Sequence, residues 1–204
     1  MIAIIDYGSG NIAAIANIYK QLKVPHVVTR DAGELARADR YILPGVGAFD
    51  ATMRHLHDAG IVEVLDEQVI QRGKKALGIC VGMQVLADSS EEGSQAGLGW
   101  IPGRVRKIGS AVPAGVVRLP HMGWNSITLS AGMPLFSGVD LERGFYFLHS
   151  YFFDSLERSD VLATVEYGSE LACAVRRGNV FGVQFHPEKS HSNGIAILRN
   201  FSEL

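Results

Sequence analysis

The first half of the chain alternates between short apolar runs and amphipathic segments, and this alternation constrains the fold more than any other feature. Ile2–Ile5 is an apolar run ended by Asp6, as expected of a buried strand. Beyond the turn at Gly8-Ser9-Gly10-Asn11, apolar residues recur at helical spacing as far as Leu22. The pattern predicts βαβα units and a mostly parallel sheet with helices on both faces. The further elements of this half are strands at Val24–Thr29, Arg40–Leu43 and Ala76–Cys80 and a helix over 61–70 that Gly73 ends.

The second half changes character, because short apolar runs there lie between turn signals, as is typical of strands that are partly antiparallel. A last helix is expected from about Gly194 to the end of the sequence. The 204 residues are enough for one good-sized domain, which we expect to span 1–204. The fold class is therefore α/β, a mostly parallel central sheet with additional antiparallel strands. The strand-like runs are Val116–Leu119, Phe145–Leu148, Val161–Glu166, Ala172–Arg176 and Val180–Phe185.

The charge balance and cysteine content exclude several classes of protein. Nineteen Lys and Arg against 21 Asp and Glu give a formal net charge of −2, too little positive field to hold nucleic acid. No apolar run is long enough to cross a bilayer, and the start of the chain lacks the basic region of a signal peptide. The two cysteines, Cys80 and Cys173, cannot form a disulfide framework. We therefore expect a cytoplasmic protein that binds neither membranes nor nucleic acid.

Gly78-Ile79-Cys80-Val81-Gly82 places a cysteine between two glycines where a strand passes into a helix. A nucleophile elbow requires this arrangement, because the tight turn tolerates little side chain around the nucleophile. The helix N-terminus stabilises the negative charge of a thiolate, and the Val81 amide is available as an oxyanion donor. The alternative is a small buried cysteine, the common state of a free Cys. Cys173, inside an apolar strand without an acid–base partner, is expected in the core.

His186-Pro187-Glu188 supplies a candidate base and its orienting carboxylate. Pro187 disfavours helix at His186, and residues i and i+2 of an extended segment point the same way. Glu188 can then hold one ring nitrogen while the other faces a thiol, as in a catalytic triad. The alternative is an exposed His and Glu at a strand end. Because Cys80 is distant in sequence, only the fold can bring the three residues together.

Pro44-Gly45-Val46-Gly47 ends another strand of the parallel half, and so lies near the same edge of the sheet. A glycine-flanked peptide there can offer a second oxyanion amide, from Val46, or withdraw it by flipping. An ordinary strand-to-helix turn is the alternative. Gly8-Ser9-Gly10-Asn11 lacks the dinucleotide and Walker patterns and is interpreted as a turn. No spacing of His, Cys or Asp predicts a metal site, and no cofactor is expected.

These motifs resemble those of the triad, or class I, glutamine amidotransferases. The resemblance rests on Gly78-Ile-Cys80-Val-Gly82-Met-Gln84 and on Gln184-Phe-His186-Pro-Glu188. Within that family, further segments along the whole chain resemble the glutaminase subunits of imidazole glycerol phosphate synthases. Those segments are Asp6-Tyr-Gly8-Ser-Gly-Asn11, Pro44-Gly-Val-Gly47, Pro120-His-Met-Gly-Trp-Asn125 and Tyr146-Phe-Leu-His-Ser-Tyr151.

The resemblance implies that the chain hydrolyses L-glutamine to glutamate and ammonia and channels the ammonia to a (β/α)8-barrel cyclase subunit in histidine biosynthesis. Catalysis would fall to Cys80 as the thioester-forming nucleophile and to His186 oriented by Glu188. The oxyanion hole would consist of the Val46 and Val81 amides. The positions that would bind glutamine are Gln84, Glu92, Ser150 and Tyr151, and those that would face the cyclase are Trp124 and Tyr146.

Other functions stay open at the level of sequence. The same glutaminase would serve a different synthetase, such as a sugar amidotransferase in surface-polysaccharide synthesis. A non-catalytic interaction module is a further possibility, although such relatives usually lose the cysteine or the histidine, and both are present here. A cysteine hydrolase of γ-glutamyl peptides would share the triad but would leave the Pro120–Asn125 segment unexplained.

Overall fold

The computed structural model describes residues 1–112, 115–130 and 133–204. An eight-stranded sheet forms the centre of the molecule, in the order β2-β1-β3-β4-β13-β12-β11-β8. Its strands are β1 (Ile2–Ile5), β2 (His26–Thr29), β3 (Arg40–Gly45), β4 (Lys75–Cys80), β8 (Thr128–Leu129), β11 (Val161–Glu166), β12 (Glu170–Arg177) and β13 (Val180–Val183). Neighbouring strands from β2 to β13 run parallel, whereas β12, β11 and β8 continue the sheet antiparallel.

Of the parallel strands, β1, β3, β4 and β13 are buried along nearly their whole length, as their continuous apolar runs predict, whereas the edge strand β2 is partly exposed. The register pairs Gly45, at the end of β3, with Cys80, at the end of β4. β13 pairs with β4 on its other side. The carboxyl ends of β3, β4 and β13 therefore meet at one edge of the sheet, where ligand sites of open α/β sheets lie.

Helices complete the parallel half. Tyr19 of the first helix donates a hydrogen bond of 3.2 Å to the Leu198 carbonyl of the last one, so these two helices pack together. Elsewhere the helix Ala32–Arg37 packs against Val62–Leu65, and the helix Phe49–Asp58 packs against Val81–Gln84. The helices are α1 (Ile12–Gln21), α2 (Ala32–Arg37), α3 (Phe49–Asp58), α4 (Val62–Leu65), which continues as a π-helix (Asp66–Gln71), α5 (Val81–Gln84), α6 (Ile108–Ala111) and α7 (His191–Glu203). Short 3-10 turns lie at Pro134–Phe136, Arg158–Asp160 and Pro187–Lys189.

Two smaller sheets lie beside the central one. The first has the order β10-β6-β5, with β10 (Tyr151–Ser155) antiparallel to β6 (Gly103–Lys107), and β6 parallel to β5 (Ser89–Ser90). The second is the antiparallel pair β7 (His121–Asn125) and β9 (Phe145–His149). Because β9 leads directly through Ser150 into β10, the two small sheets are joined at that residue.

The predicted α/β class, with a mostly parallel sheet and added antiparallel strands, is confirmed. The predicted strand at Val116–Leu119 is wrong, because this segment is irregular and both end residues are exposed. The helix predicted over 61–70 widens into a π-helix at Asp66 and ends at Gln71. The last helix begins at His191, three residues before the predicted Gly194. No helix among the described residues is long and apolar enough to span a membrane.

Candidate active site

Cys80 lies in a strained turn between β4 and α5. Its φ of 57° and ψ of −113° place it in a region that residues other than glycine seldom adopt, as at a nucleophile elbow. The flanking glycines are required by close backbone packing. A Cβ at position 82 would lie 1.8 Å from the Leu43 carbonyl oxygen, and one at position 78 would lie 2.3 Å from the Gly82 oxygen. The sequence motif therefore encodes the geometry that turns Cys80 towards the sheet edge.

Cys80 borders a cavity of about 280 Å³ at that edge. Its sulfur lies 3.8 Å from the Gln184 amide nitrogen and 4.0 Å from the Leu148 carbonyl oxygen. A larger groove of about 600 Å³ between the β8–β11 side and β10 contains none of the predicted site residues. The residues that line the smaller cavity include eight of the predicted ones, namely Val46, Cys80, Val81, Gln84, Glu92, Ser150, Tyr151 and His186.

His186 and Glu188 form a buried pair next to Cys80. The Nδ1 atom of His186 lies 2.9 Å from Oε1 of Glu188. Burial lowers the pKa of His186, but hydrogen bonds to Cys80 and Glu188 outweigh it and raise the pKa to about 10. The backbone is held on both sides, because His186 N–H donates to the Tyr146 carbonyl and the Ser190 hydroxyl donates to the His186 carbonyl. The imidazole is thus fixed between a thiol and a carboxylate.

The Pro44–Gly47 segment lies opposite the elbow and is held by the first loop of the chain. The Ser9 hydroxyl donates to the Val46 carbonyl at 2.8 Å and accepts from the Val46 N–H at 3.1 Å. The buried Tyr7 hydroxyl donates to the Pro44 carbonyl. In this orientation the Val46 amide is occupied by Ser9. Val81, the first residue of α5, has an N–H without a partner inside its helix.

The positions expected to bind glutamine lie around the cavity on three parts of the chain, namely α5, the loop after β5, and the junction of β9 and β10. Gln84 donates from its amide nitrogen to the Tyr151 carbonyl at 3.1 Å. Glu92 accepts from the Phe49 N–H at 2.8 Å, and so also caps the start of α3. The Ser150 carbonyl accepts from the Ile108 N–H at 2.9 Å. Polar side chains and fixed backbone groups therefore face a site of amino-acid size.

Trp124 and Tyr146 lie outside the cavity and opposite each other on β7 and β9. Trp124 is 44% exposed and stacks on His191, with ring centroids 5.3 Å apart. The Lys189 ammonium lies 5.4 Å from the centre of the Tyr146 ring. With the exposed Met122, these residues form an apolar surface beside the site, the kind of patch that marks a protein interface.

Several residues of the site escaped the sequence interpretation. Ser9 lies in the segment interpreted as a simple turn. Gln184 carries the same i, i+2 relation to His186 that identified Glu188, and this spacing was a usable signal. His149 lines the cavity beside Ser150; it lies in the motif Tyr146–Tyr151, but the sequence interpretation gave it no role. Cys173 is fully buried, and burial raises the pKa of its thiol. Among the described residues, no cluster of His, Cys, Asp and Glu suits a metal ion.

The fold and the site match known proteins. The family model for class I glutamine amidotransferases matches residues 3–203, and the chain belongs to this family. Its relatives include proteins called imidazole glycerol phosphate synthase subunit HisH, over the full length of both chains. The one from Bdellovibrio bacteriovorus is 52% identical over 205 residues, and the one from Leptospira borgpetersenii is 45% identical over 204 residues.

Solved structures agree on the fold. A structure described as a glutamine amidotransferase has a TM-score of 0.73 at 21% identity, covering 99% of this chain and 97% of that chain. A putative GMP synthase protein from Thermoplasma acidophilum has a TM-score of 0.72 at 19% identity, covering 99% of this chain and 92% of the other. At such low identity these likenesses concern the architecture alone.

Proposed function

We propose that the chain is the glutaminase subunit of an imidazole glycerol phosphate synthase. It hydrolyses L-glutamine to glutamate and ammonia and passes the ammonia to a cyclase subunit that makes imidazole glycerol phosphate and AICAR in histidine biosynthesis. The observation that carries this proposal is the strained Cys80 turn beside the buried His186–Glu188 pair, in a chain similar to HisH subunits over its full length. We assign the activity to a single domain over 1–204, in the cytoplasm.

The first half of the reaction forms a thioester. The cationic His186 ring stabilises negative charge on the Cys80 sulfur, which attacks the side-chain carbonyl carbon of glutamine. The carbonyl oxygen becomes an oxyanion, and the Val81 N–H at the start of α5 is available to stabilise it. His186 then gives its proton to the leaving nitrogen. The C–N bond breaks, ammonia departs, and a γ-glutamyl thioester remains on Cys80.

The second half uses the same residues in reverse. His186, now neutral, takes a proton from water, whose oxygen attacks the thioester carbon. The C–S bond breaks, glutamate leaves and the Cys80 sulfur is restored. Glu188, 2.9 Å from Nδ1, keeps the ring in one orientation through both steps. For Val46 to donate to the oxyanion as well, its peptide must rotate away from Ser9, because Ser9 occupies its N–H here.

Glutamine binding falls in this proposal to Gln84, Glu92, Ser150 and Tyr151, all of which line the cavity. The partner is a cyclase subunit with a (β/α)8-barrel, docked on the exposed Trp124 and beside Tyr146 in a heterodimer. Bulk water at neutral pH protonates ammonia and ends its nucleophilicity, so transfer across a closed interface preserves its reactivity. The similarity to HisH subunits favours this acceptor over the sugar synthetase of polysaccharide synthesis.

The experiment measures glutamate release from glutamine by the chain alone, by the chain with its cyclase, and by that complex with the cyclase's nucleotide ligand. We expect a slow basal rate that the ligand-bound cyclase stimulates. Cys80→Ala should abolish release in every condition, whereas Cys173→Ala, at the other buried cysteine, should leave it unchanged.

Two outcomes would contradict the proposal in different ways. An unchanged rate in Cys80→Ala would refute the mechanism. Normal dependence on Cys80 without any stimulation by the cyclase would refute the histidine-pathway partner while preserving the glutaminase. Labelling of Cys80 by a glutamine-like electrophile separates an active enzyme from a non-catalytic scaffold.

A further inference from the structure

Two buried histidines, His121 and His149, form a pair beside the cavity and take no part in the mechanism above. They lie opposite each other at the ends of β7 and β9, and His121 Nδ1 is 2.9 Å from His149 Nε2. The His121 ring stacks on Phe147 and on Tyr167, with centroid distances of 4.7 and 4.0 Å. Aromatic packing therefore fixes the position of His121.

The hydrogen bonds of this pair have a defined direction. His149 Nδ1 lies 2.8 Å from the Tyr151 carbonyl oxygen, which can only accept, so Nδ1 carries a hydrogen. Burial lowers the pKa of His121 to about 4 and that of His149 to about 3, so both rings are neutral at physiological pH. His149 Nε2 must then accept from His121 Nδ1. Asn125 Nδ2, 3.4 Å from His121 Nε2, donates in the same direction.

The chain of hydrogen bonds ends on the Tyr151 carbonyl, which Gln84 also holds. Gln84 Nε2 donates to this oxygen at 3.1 Å and to Gln184 Oε1 at 3.0 Å. A carbonyl oxygen has two lone pairs, so His149 and Gln84 together occupy it. The peptide that follows Tyr151 therefore cannot turn without breaking both bonds. Ser150 and Tyr151 line the cavity beside His149.

We propose that His149 is a positioning residue for glutamine: it holds the Tyr151 carbonyl, and His121 holds His149 in the tautomer that can donate to it. The inference rests on the proposed function, which places Ser150 and Tyr151 among the residues that bind glutamine. Among the described residues, the side-chain hydrogen bonds of His149 reach His121 and Tyr151, not the thiol or its base. Loss of His149 should therefore weaken glutamine binding and spare the chemical steps.

The kinetic test uses two substitutions of His149 in the complex with the cyclase. His149→Leu removes the donor at similar size, and we expect KM for glutamine to rise about tenfold while kcat stays within about twofold. His149→Asn keeps an N–H near the position of Nδ1, and should restore KM to within about threefold of wild type. A merely structural role would not be rescued by asparagine. An unchanged KM in His149→Leu, or a fall in kcat alone, would overturn the inference.

The second test needs no variant. In the wild-type chain with ¹⁵N-labelled histidine, two-bond nitrogen–proton NMR correlations should show both His121 and His149 as neutral Nδ1–H tautomers at pH 7. An Nε2–H tautomer or an imidazolium at His149 would refute the inference even if every variant fails to fold. A wild-type complex that releases no glutamate refutes the proposed function and this inference with it. An active complex with unchanged KM in His149→Leu refutes the inference alone.

Discussion

Replacing Ser9 with alanine removes the hydroxyl that holds the Val46 peptide in its present orientation. The hydroxyl makes two hydrogen bonds to Val46, at 2.8 Å to the carbonyl and 3.1 Å from the N–H. In this orientation the N–H is unavailable to an oxyanion in the cavity. Ser9→Ala should therefore increase the fraction of chains in which the peptide has rotated, and with it the glutaminase rate in the absence of the cyclase.

The size of the effect follows from the two hydrogen bonds and their exposure. Each bond contributes roughly 1 kcal/mol net, so about 2 kcal/mol is the upper bound for losing both. Val46 is 49% exposed, so water replaces part of this stabilisation. We take about 1 kcal/mol as the remainder, which corresponds to a roughly fivefold shift in the population of the rotated peptide.

The assay compares basal glutamate release by wild type, Ser9→Ala and Ser155→Ala. Ser155 is the matched control, because its hydroxyl also donates to a backbone carbonyl, that of Glu157 at 3.0 Å, away from the cavity. We expect a basal kcat about fivefold higher in Ser9→Ala only, and a cyclase-stimulated rate within about twofold of wild type. A basal rate that stays equal or falls, with the protein folded, would refute the role of Ser9.

Three further predictions concern the elbow, the buried histidines and the interface. Gly82→Ala should lower the free energy of unfolding by more than about 3 kcal/mol in denaturant titrations. The control Gly109→Ala should lower it by less than about 1 kcal/mol, because a Cβ there would lie 3.8 Å from its nearest neighbour, the Leu119 side chain. Equal losses in the two variants would contradict the packing argument. Histidines of the unfolded chain protonate near pH 6.5, whereas the pKa values of the folded His121 and His149 are about 4 and 3. The free energy of unfolding should therefore fall as the pH drops from about 6.5 to 4, and it should fall less steeply in His149→Leu. Parallel pH profiles of the two proteins would contradict the burial of neutral His149. Trp124→Ala should raise the Kd for the cyclase about 30-fold, as measured by calorimetry, whereas Leu156→Ala at the exposed control position should leave the Kd unchanged. Equal effects of the two substitutions would contradict the assignment of Trp124 to the interface.

The local patterns predicted the parallel strands and the elbow because each is determined by residues close together in sequence. Apolar runs produced β1, β3 and β4 within two residues of their observed ends. The glycines around Cys80 identified the turn, since the close approach of Leu43 leaves no space for a Cβ at Gly82. The contact of His186 with Glu188 was predicted, but for a continuous extended segment; His186 is extended, as Pro187 requires, whereas Glu188 lies in the 3-10 turn Pro187–Lys189 that follows.

The failures share a physical cause, which is that distant contacts decide what a local pattern cannot. Val116–Leu119 is apolar enough for a strand, yet the segment pairs with no strand among the described residues. The turn at Ser9 was identified, but its bond to Val46 joins positions 37 residues apart in sequence. The pairing of His121 with His149 likewise depends on the β7–β9 register, which only the folded chain establishes.

The most direct test of the proposed mechanism is to trap the covalent intermediate. The complex with ligand-bound cyclase would be mixed with glutamine, quenched in acid within one turnover and digested for mass spectrometry. We predict one γ-glutamyl group on the peptide that contains Cys80. Cys173, fully buried, should remain unmodified. Turnover without an adduct on Cys80, or an adduct on another residue, would contradict the mechanism.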